Sequence, residues 1–195
     1  MSHPLPPSDL NLRRLPLVSI PGPFVRMHDA TKGALYFGRA GRYRFDAPAG
    51  QYGVLYCGDD PYCAFIETFG HDTGINVVSL GDLRARTLAR IELRRPLSLV
   101  DLTGAGLARI GADNQLCDGD YTVAQQWALA LHDHPDQPDG INFRSRHDPS
   151  HLCTAVFDRA KDALTATTLG SLADSGNADL LGTILDTYGF GLIGT

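Results

Sequence analysis

The chain has 195 residues, of which 43% are hydrophobic and 20% charged, and its formal net charge is −5. That length and balance suit a single globular domain with a proper core, and no run approaches the roughly 18 apolar residues of a membrane-spanning helix. The acidic balance argues against nucleic-acid binding driven by counterion release, so no direct nucleic-acid partner is expected.

The first residues, Met1-Ser2-His3-Pro4-Leu5-Pro6-Pro7, lack the basic and apolar regions of a signal peptide, and a cytoplasmic location is expected. Residues 1–21 are proline-rich and read as an extended arm, with one domain over 22–195. Phe24-Val25-Arg26-Met27-His28 alternates apolar with polar and predicts a first strand. Residues 29–51, rich in glycine, arginine and aromatics, have little periodicity; a loop of that length is usually functional or mobile.

Tyr52 to Cys57 predicts the clearest strand. After Gly58, Asp59-Asp60-Pro61 supplies an N-cap and a first-turn proline for a helix that Gly70 ends. Further strands are expected at 75–78, 87–93, 97–102, 141–143, 154–157 and 164–168. Helices are expected after Ser79, near 103–110, at 121–132 and at 177–188, the last ended by Gly189. Helices and short strands mix without a βαβ rhythm, which favours an α+β fold.

Glu67 stands out, because only two of the 22 acidic residues are glutamates, the other being Glu92. It sits in Tyr62-Cys63-Ala64-Phe65-Ile66-Glu67-Thr68-Phe69, on the edge of an apolar stripe and one helical turn after Cys63. Such a carboxylate is either a surface group paired with an arginine or a working acid held among partners. Arg26 lies mid-strand, on a face that is either solvated or functional. Arg39, Arg42 and Arg44 punctuate a Gly- and Tyr-containing loop, an arrangement that suits a phosphate-bearing ligand with a flat ring but also an ordinary solvated loop.

Asp139-Gly140-Ile141-Asn142-Phe143-Arg144-Ser145-Arg146 ends a strand pattern with a serine between two arginines, able to bond a phosphate or ribose. Gly-x-Ser-x-Gly is absent, so no hydrolase nucleophile elbow is expected. His132, His134, His147 and His151 fit no zinc-ligand spacing, and no metal site is expected. Gly104-Ala105-Gly106 lacks the third glycine of a dinucleotide fingerprint.

Taken together, these segments resemble the RES domain, the toxin half of RES–Xre toxin–antitoxin modules. The family's arginine matches Arg26, its glutamate Glu67 and its serine Ser145. Arg44-Phe45-Asp46-Ala47-Pro48 and Leu185-Asp186-Thr187-Tyr188-Gly189 also match in order and spacing, so the resemblance spans about 22–190. It implies a fold related to diphtheria-toxin-type ADP-ribosyltransferases. It also implies NAD⁺ as substrate rather than cofactor, cleavage at the nicotinamide–ribose bond, and an Xre-like antitoxin that occludes the active site.

With that resemblance, Glu67 would stabilise the cationic ribose, while Arg26 and Arg44 would hold the diphosphate or an acceptor phosphate. Tyr56 would pack against or bond the nicotinamide riboside, and Ser145 would orient a phosphate or ribose hydroxyl. The acceptor could be inorganic phosphate as co-substrate, water, or, in a rival reading, a protein. A catalytically silent nucleotide- or partner-binding module is the other rival. Homo-oligomerisation is left open by the sequence.

Overall fold

The computed structural model describes residues 4–72 and 74–194. In chain order the elements are β1 (Leu17–Ile20), β2 (Phe24–Asp29), β3 (Val54–Gly58), α1 (Pro61–Phe69), β4 (Val77–Ser79), α2 (Leu80–Arg84), β5 (Arg86–Leu93) and β6 (Leu97–Asp101). There follow α3 (Ala105–Ile110), α4 (Gln115–Asp118), α5 (Tyr121–His132), β7 (Gly140–Arg144), β8 (Leu152–Phe157), β9 (Leu164–Gly170), α6 (Ala178–Tyr188) and β10 (Gly191–Ile193).

Eight strands form one sheet in the order β1-β6-β7-β8-β3-β2-β5-β9, while β10 and β4 make a small parallel pair. Within the large sheet only β6 and β7 run parallel. This is an α+β architecture of intermixed helices and antiparallel strands, as the irregular rhythm of the sequence implies. Residues 17–20, within the expected arm, pair with β6 as an edge strand. The rest of the arm is tied down by Trp127 Nε1, which donates to the Pro4 carbonyl (2.8 Å), and by the ring of His134 against the Leu10 and Arg13 carbonyls (3.2 and 3.0 Å).

The core divides into three clusters. One, around Phe45, Tyr52, Trp127, Phe143 and Phe157, joins the loop before β3 to α5. A second, around Leu55, Ile91, Leu97, Leu99 and Val156, lines the sheet. The third packs α1 and α6 on β2 and β5 through Val25, Phe65, Leu88 and Ile184. Each fully buried side chain of this size contributes about 1.5–3 kcal/mol.

One seam positions the site. β2 meets β3 at a single residue pair, Val25 with Gly58. A Cβ on Gly58 would lie 2.7 Å from the Cys63 Cβ and Sγ, so only glycine lets α1 turn back so closely. Asp60 then caps the helix by accepting from the Cys63 amide (2.8 Å), with Pro61 in the first turn.

Candidate active site

Strand register brings the segments that carry Arg26, Glu67 and Ser145 towards one end of the sheet. Gly58 ends β3 opposite Cys153, near the start of β8, and Arg144 ends β7 opposite Leu152. Ser145 follows Arg144 directly, Glu67 rides on the helix launched from Gly58, and Arg26 adjoins the seam residue Val25.

Glu67 is half-buried and Ser145 is buried. The Ser145 hydroxyl donates to Glu67 Oε1 at 2.6 Å. Its oxygen accepts from the amides of His147 (3.2 Å) and Asp148 (3.0 Å), so the serine is held from both sides. Such a short bond to a carboxylate is in the strong, charge-assisted class. Beside this pair opens a cleft of about 570 Å³, lined by Ser145, Arg144, Arg146 and the α4 residues Cys117 and Asp118 among others.

Arg26 reaches no protein partner through Nη1, which is buried without a hydrogen bond. Burial pushes its pKa down, and the neighbouring Cys57 and Tyr43 offset this only in part. A buried guanidinium nitrogen left unbonded is costly, and an anion arriving from outside would complete it.

The three loop arginines part company. Arg39 pairs with Asp158, Arg42 stays exposed, and only Arg44 turns inward. Arg44 Nη1 donates to the Gly119 carbonyl (2.8 Å), and its guanidinium lies 4.6 Å from the Tyr121 ring centre. Burial lowers its pKa, with Arg146 among the charges it feels. One face of this guanidinium is thus anchored to the junction of α4 and α5.

The Tyr56 hydroxyl is spent inside the protein. It donates to Asp46 Oδ1 (3.1 Å) and accepts from the Phe45 amide (2.9 Å). Burial drives its pKa well up, and Asp46 pushes in the same direction. Asp46 is 1% exposed and also accepts from the Arg42 and Tyr43 amides (2.9 and 3.0 Å). Tyr56 therefore fixes the loop that carries Arg44, and exposed Tyr43 rests edge-on against its ring at 5.6 Å.

Asp46, Tyr43, His147 and Asp148 neighbour the candidate residues, and the sequence reading gives none of them a role beside Glu67, Ser145 or Tyr56. A signal for two of them was present: Ser145 followed by Asp148-Pro149 has the composition of a side-chain-capped turn. His147 feels the Glu67 charge and packs edge-on against His71 at 5.3 Å. Burial lowers its pKa, and Glu67 opposes that shift.

Of the remaining histidines, His134 is occupied by the arm and by the Asp136 amide. His151 stands between Asp59 and Asp60 on one side and Asp148 on the other. All four cysteines are free and buried, and Cys63 and Cys153 bring their Sγ atoms to 3.5 Å. Among the described residues no helix is long and apolar enough to cross a membrane.

Residues 17–176 match the family described as the RES domain. The chain belongs to that family. The protein "Probable toxin y4kH" of Sinorhizobium fredii (strain NBRC 101917 / NGR234) is 30% identical over 117 residues, which are 60% of this chain and 90% of that protein. Among solved structures, a chain of the M. tuberculosis MbcT–MbcA toxin–antitoxin complex shares the fold with a TM-score of 0.59 at 18% identity. That match covers 83% of this chain and 90% of the other. The α+β fold expected from the sequence is the fold found, and that chain shares it.

Proposed function

We propose that this chain is the toxin of a toxin–antitoxin pair and that it cleaves the nicotinamide–ribose bond of NAD⁺, passing ADP-ribose to inorganic phosphate or water. The observation that carries the reading is the 2.6 Å bond from Ser145 to Glu67 Oε1, at a cleft flanked by Arg144 and Arg146. The family match and the named relatives support the toxin role.

The chemistry follows from the groups present. Nicotinamide leaves NAD⁺ as a neutral molecule, so no general acid is needed, and positive charge builds on the ribose. A fixed carboxylate facing that charge stabilises it without reorganising in the transition state. Glu67 takes this role, and Ser145 holds its Oε1 so that the other oxygen stays free for a ribose hydroxyl. Arg26 supplies an unmatched positive charge for a phosphate group, and Arg44 a second guanidinium already oriented by Gly119 and Tyr121. Tyr56 keeps the Arg44 loop in place. The partner that restrains such an enzyme would be an Xre-like antitoxin covering the cleft.

The test is incubation of the purified protein with NAD⁺, with and without inorganic phosphate, followed by mass spectrometry. Release of nicotinamide is expected, with ADP-ribose 1″-phosphate formed only when phosphate is the acceptor. Label appearing on protein would turn the reading towards a protein ADP-ribosyltransferase. No nicotinamide release, together with normal growth on expression, would refute it.

A further inference from the structure

The Glu67–Ser145 bond joins two separate parts of the fold, a helix and a turn, and something must hold them in register. The turn is closed by Ser145 N donating to the His151 carbonyl (3.0 Å) and His151 N donating to the Asp148 carbonyl (3.0 Å). Asp148 is its hub. The Asp148 amide donates to Ser145 Oγ (3.0 Å), and its Oδ1 accepts from both the Ser150 amide (3.1 Å) and hydroxyl (2.6 Å). Its second oxygen, Oδ2, accepts from the hydroxyl of Tyr188 at 3.1 Å.

Tyr188 comes from a distant part of the chain. It is the last residue of α6, ended by Gly189 in the left-handed conformation at φ 63°. Its carbonyl accepts from the Asn76 side chain (3.2 Å), which fixes the backbone there. Its ring faces Tyr62 and lies nearly parallel to Phe65, each at 6.5 Å, and both residues belong to α1. One side chain thus touches the helix that carries Glu67 with its ring and the turn that carries Ser145 with its hydroxyl.

We infer that Tyr188 is a positioning residue that sets the Ser145–Glu67 geometry by pinning Asp148 to α1. For its effect on turnover this rests on the NAD⁺ reading; for its effect on the turn it does not. The hydroxyl makes one hydrogen bond and the ring supplies the packing, so Tyr188→Phe removes the pin while leaving the apolar contacts. A loosened turn misplaces the serine and lets the carboxylate swing, and a small misplacement of a reacting group is felt mainly in the chemical step.

The experiment pairs hydrogen exchange with kinetics on the full-length protein. In Tyr188→Phe the amides of His147, Asp148, Ser150 and His151 should exchange at least about tenfold faster, while the melting temperature stays near the parent's. The turnover number should fall about 5- to 10-fold with KM changed less than about twofold. In a Ser145→Ala background the same substitution should cost nothing further, because the pin acts through the serine. Asp148→Ala, made from the other end of the bond, should loosen the same amides.

Parental exchange rates in Tyr188→Phe would overturn the inference. So would unchanged turnover, or a loss that multiplies with that of Ser145→Ala. If the parent itself releases no nicotinamide, the NAD⁺ reading fails separately, and the exchange rates alone decide whether the pin exists.

Discussion

The two ends of strand β7 are built on opposite principles. Before its first residue lies Asp139, which receives both Arg95 nitrogens (2.6 and 2.8 Å) and the Ser98 amide (2.8 Å). Burial alone would raise the Asp139 pKa, yet Arg95 and that amide outweigh it and the net shift is downward. After the last residue of β7 lie Ser145 and Arg146, and Arg146 has no ion-pair partner among the described residues. Across the seam, Arg26 keeps a buried nitrogen unbonded. The first end pairs the Asp139 charge, although Arg159 Nη1 near it is also buried without a hydrogen bond; the other arranges its charges and leaves them open. A fold gains stability from the first arrangement and gives some up for the second; on the NAD⁺ reading the unbonded nitrogen of Arg26 is the one that a ligand completes.

The sharpest way to break this contrast is Glu67→Gln. It keeps the shape and an oxygen for Ser145 but removes the charge that, on the NAD⁺ reading, faces the developing ribose cation. Nicotinamide release should fall about 10³-fold, on the scale of losing one preorganised electrostatic group. The melting temperature should hold. A loss of less than about fivefold in a rapid assay would take Glu67 out of the chemistry.

At the closed end the effect should be on stability alone. Asp139→Ala strips Arg95 and the Ser98 amide of their shared acceptor, and a loss of about 2–3 kcal/mol is expected by denaturant titration. Arg95 is half exposed and can turn to water, which keeps the figure below that of a fully buried pair. Turnover per folded molecule should be unchanged. Arg26→Met is the mirror experiment: stability equal to the parent's or greater by up to about 1 kcal/mol, with kcat/KM down about 10- to 100-fold as one charge-assisted phosphate contact disappears. Should Arg26→Met destabilise the protein by more than about 2 kcal/mol, its guanidinium is a structural element and not an open site.

These contrasts were only partly legible in the sequence. Helix α1 could be read closely, because Asp60, Pro61 and Gly70 are local signals that act on their own backbone. Strand β2 shows in its alternation, and β3, β5, β6, β7, β8 and β9 in their short apolar runs. β1, β10 and α4 escaped, since their pairing partners lie far along the chain and short segments carry little periodicity. At the site, Glu67 and Ser145 could be marked by residue type and family resemblance, but not their bond, which spans 78 positions. The burial of Tyr56 at the expense of its free hydroxyl depends on Asp46, and an aspartate 1% exposed cannot be told from a loop aspartate by composition. The three loop arginines look equivalent in sequence and separate only when Asp158 and Gly119 claim Arg39 and Arg44.

Acid has the smallest effect of these. His147, near Glu67, has its pKa lowered by burial from the usual value of about 6.5. The unfolded chain therefore takes up that proton more readily than the folded one. The stability held above about pH 6.5 is lost as the pH falls through the folded value. His132, stacked on Tyr52 at 4.1 Å and also lowered by burial, acts in the same direction and the same window. Asp139 is lowered too, but from the usual carboxylate value near 4, so its contribution persists until much stronger acid. Stability measured by urea titration should therefore decline first as the pH falls below about 6.5, and again below about pH 4. His147→Asn in a His132→Gln background should flatten the first decline and leave the second, while Asp139→Asn should leave the first and lessen the second, to which the lowered Asp148 carboxyl also contributes. A first decline that survives loss of both histidines would mean that mild acid acts through other groups.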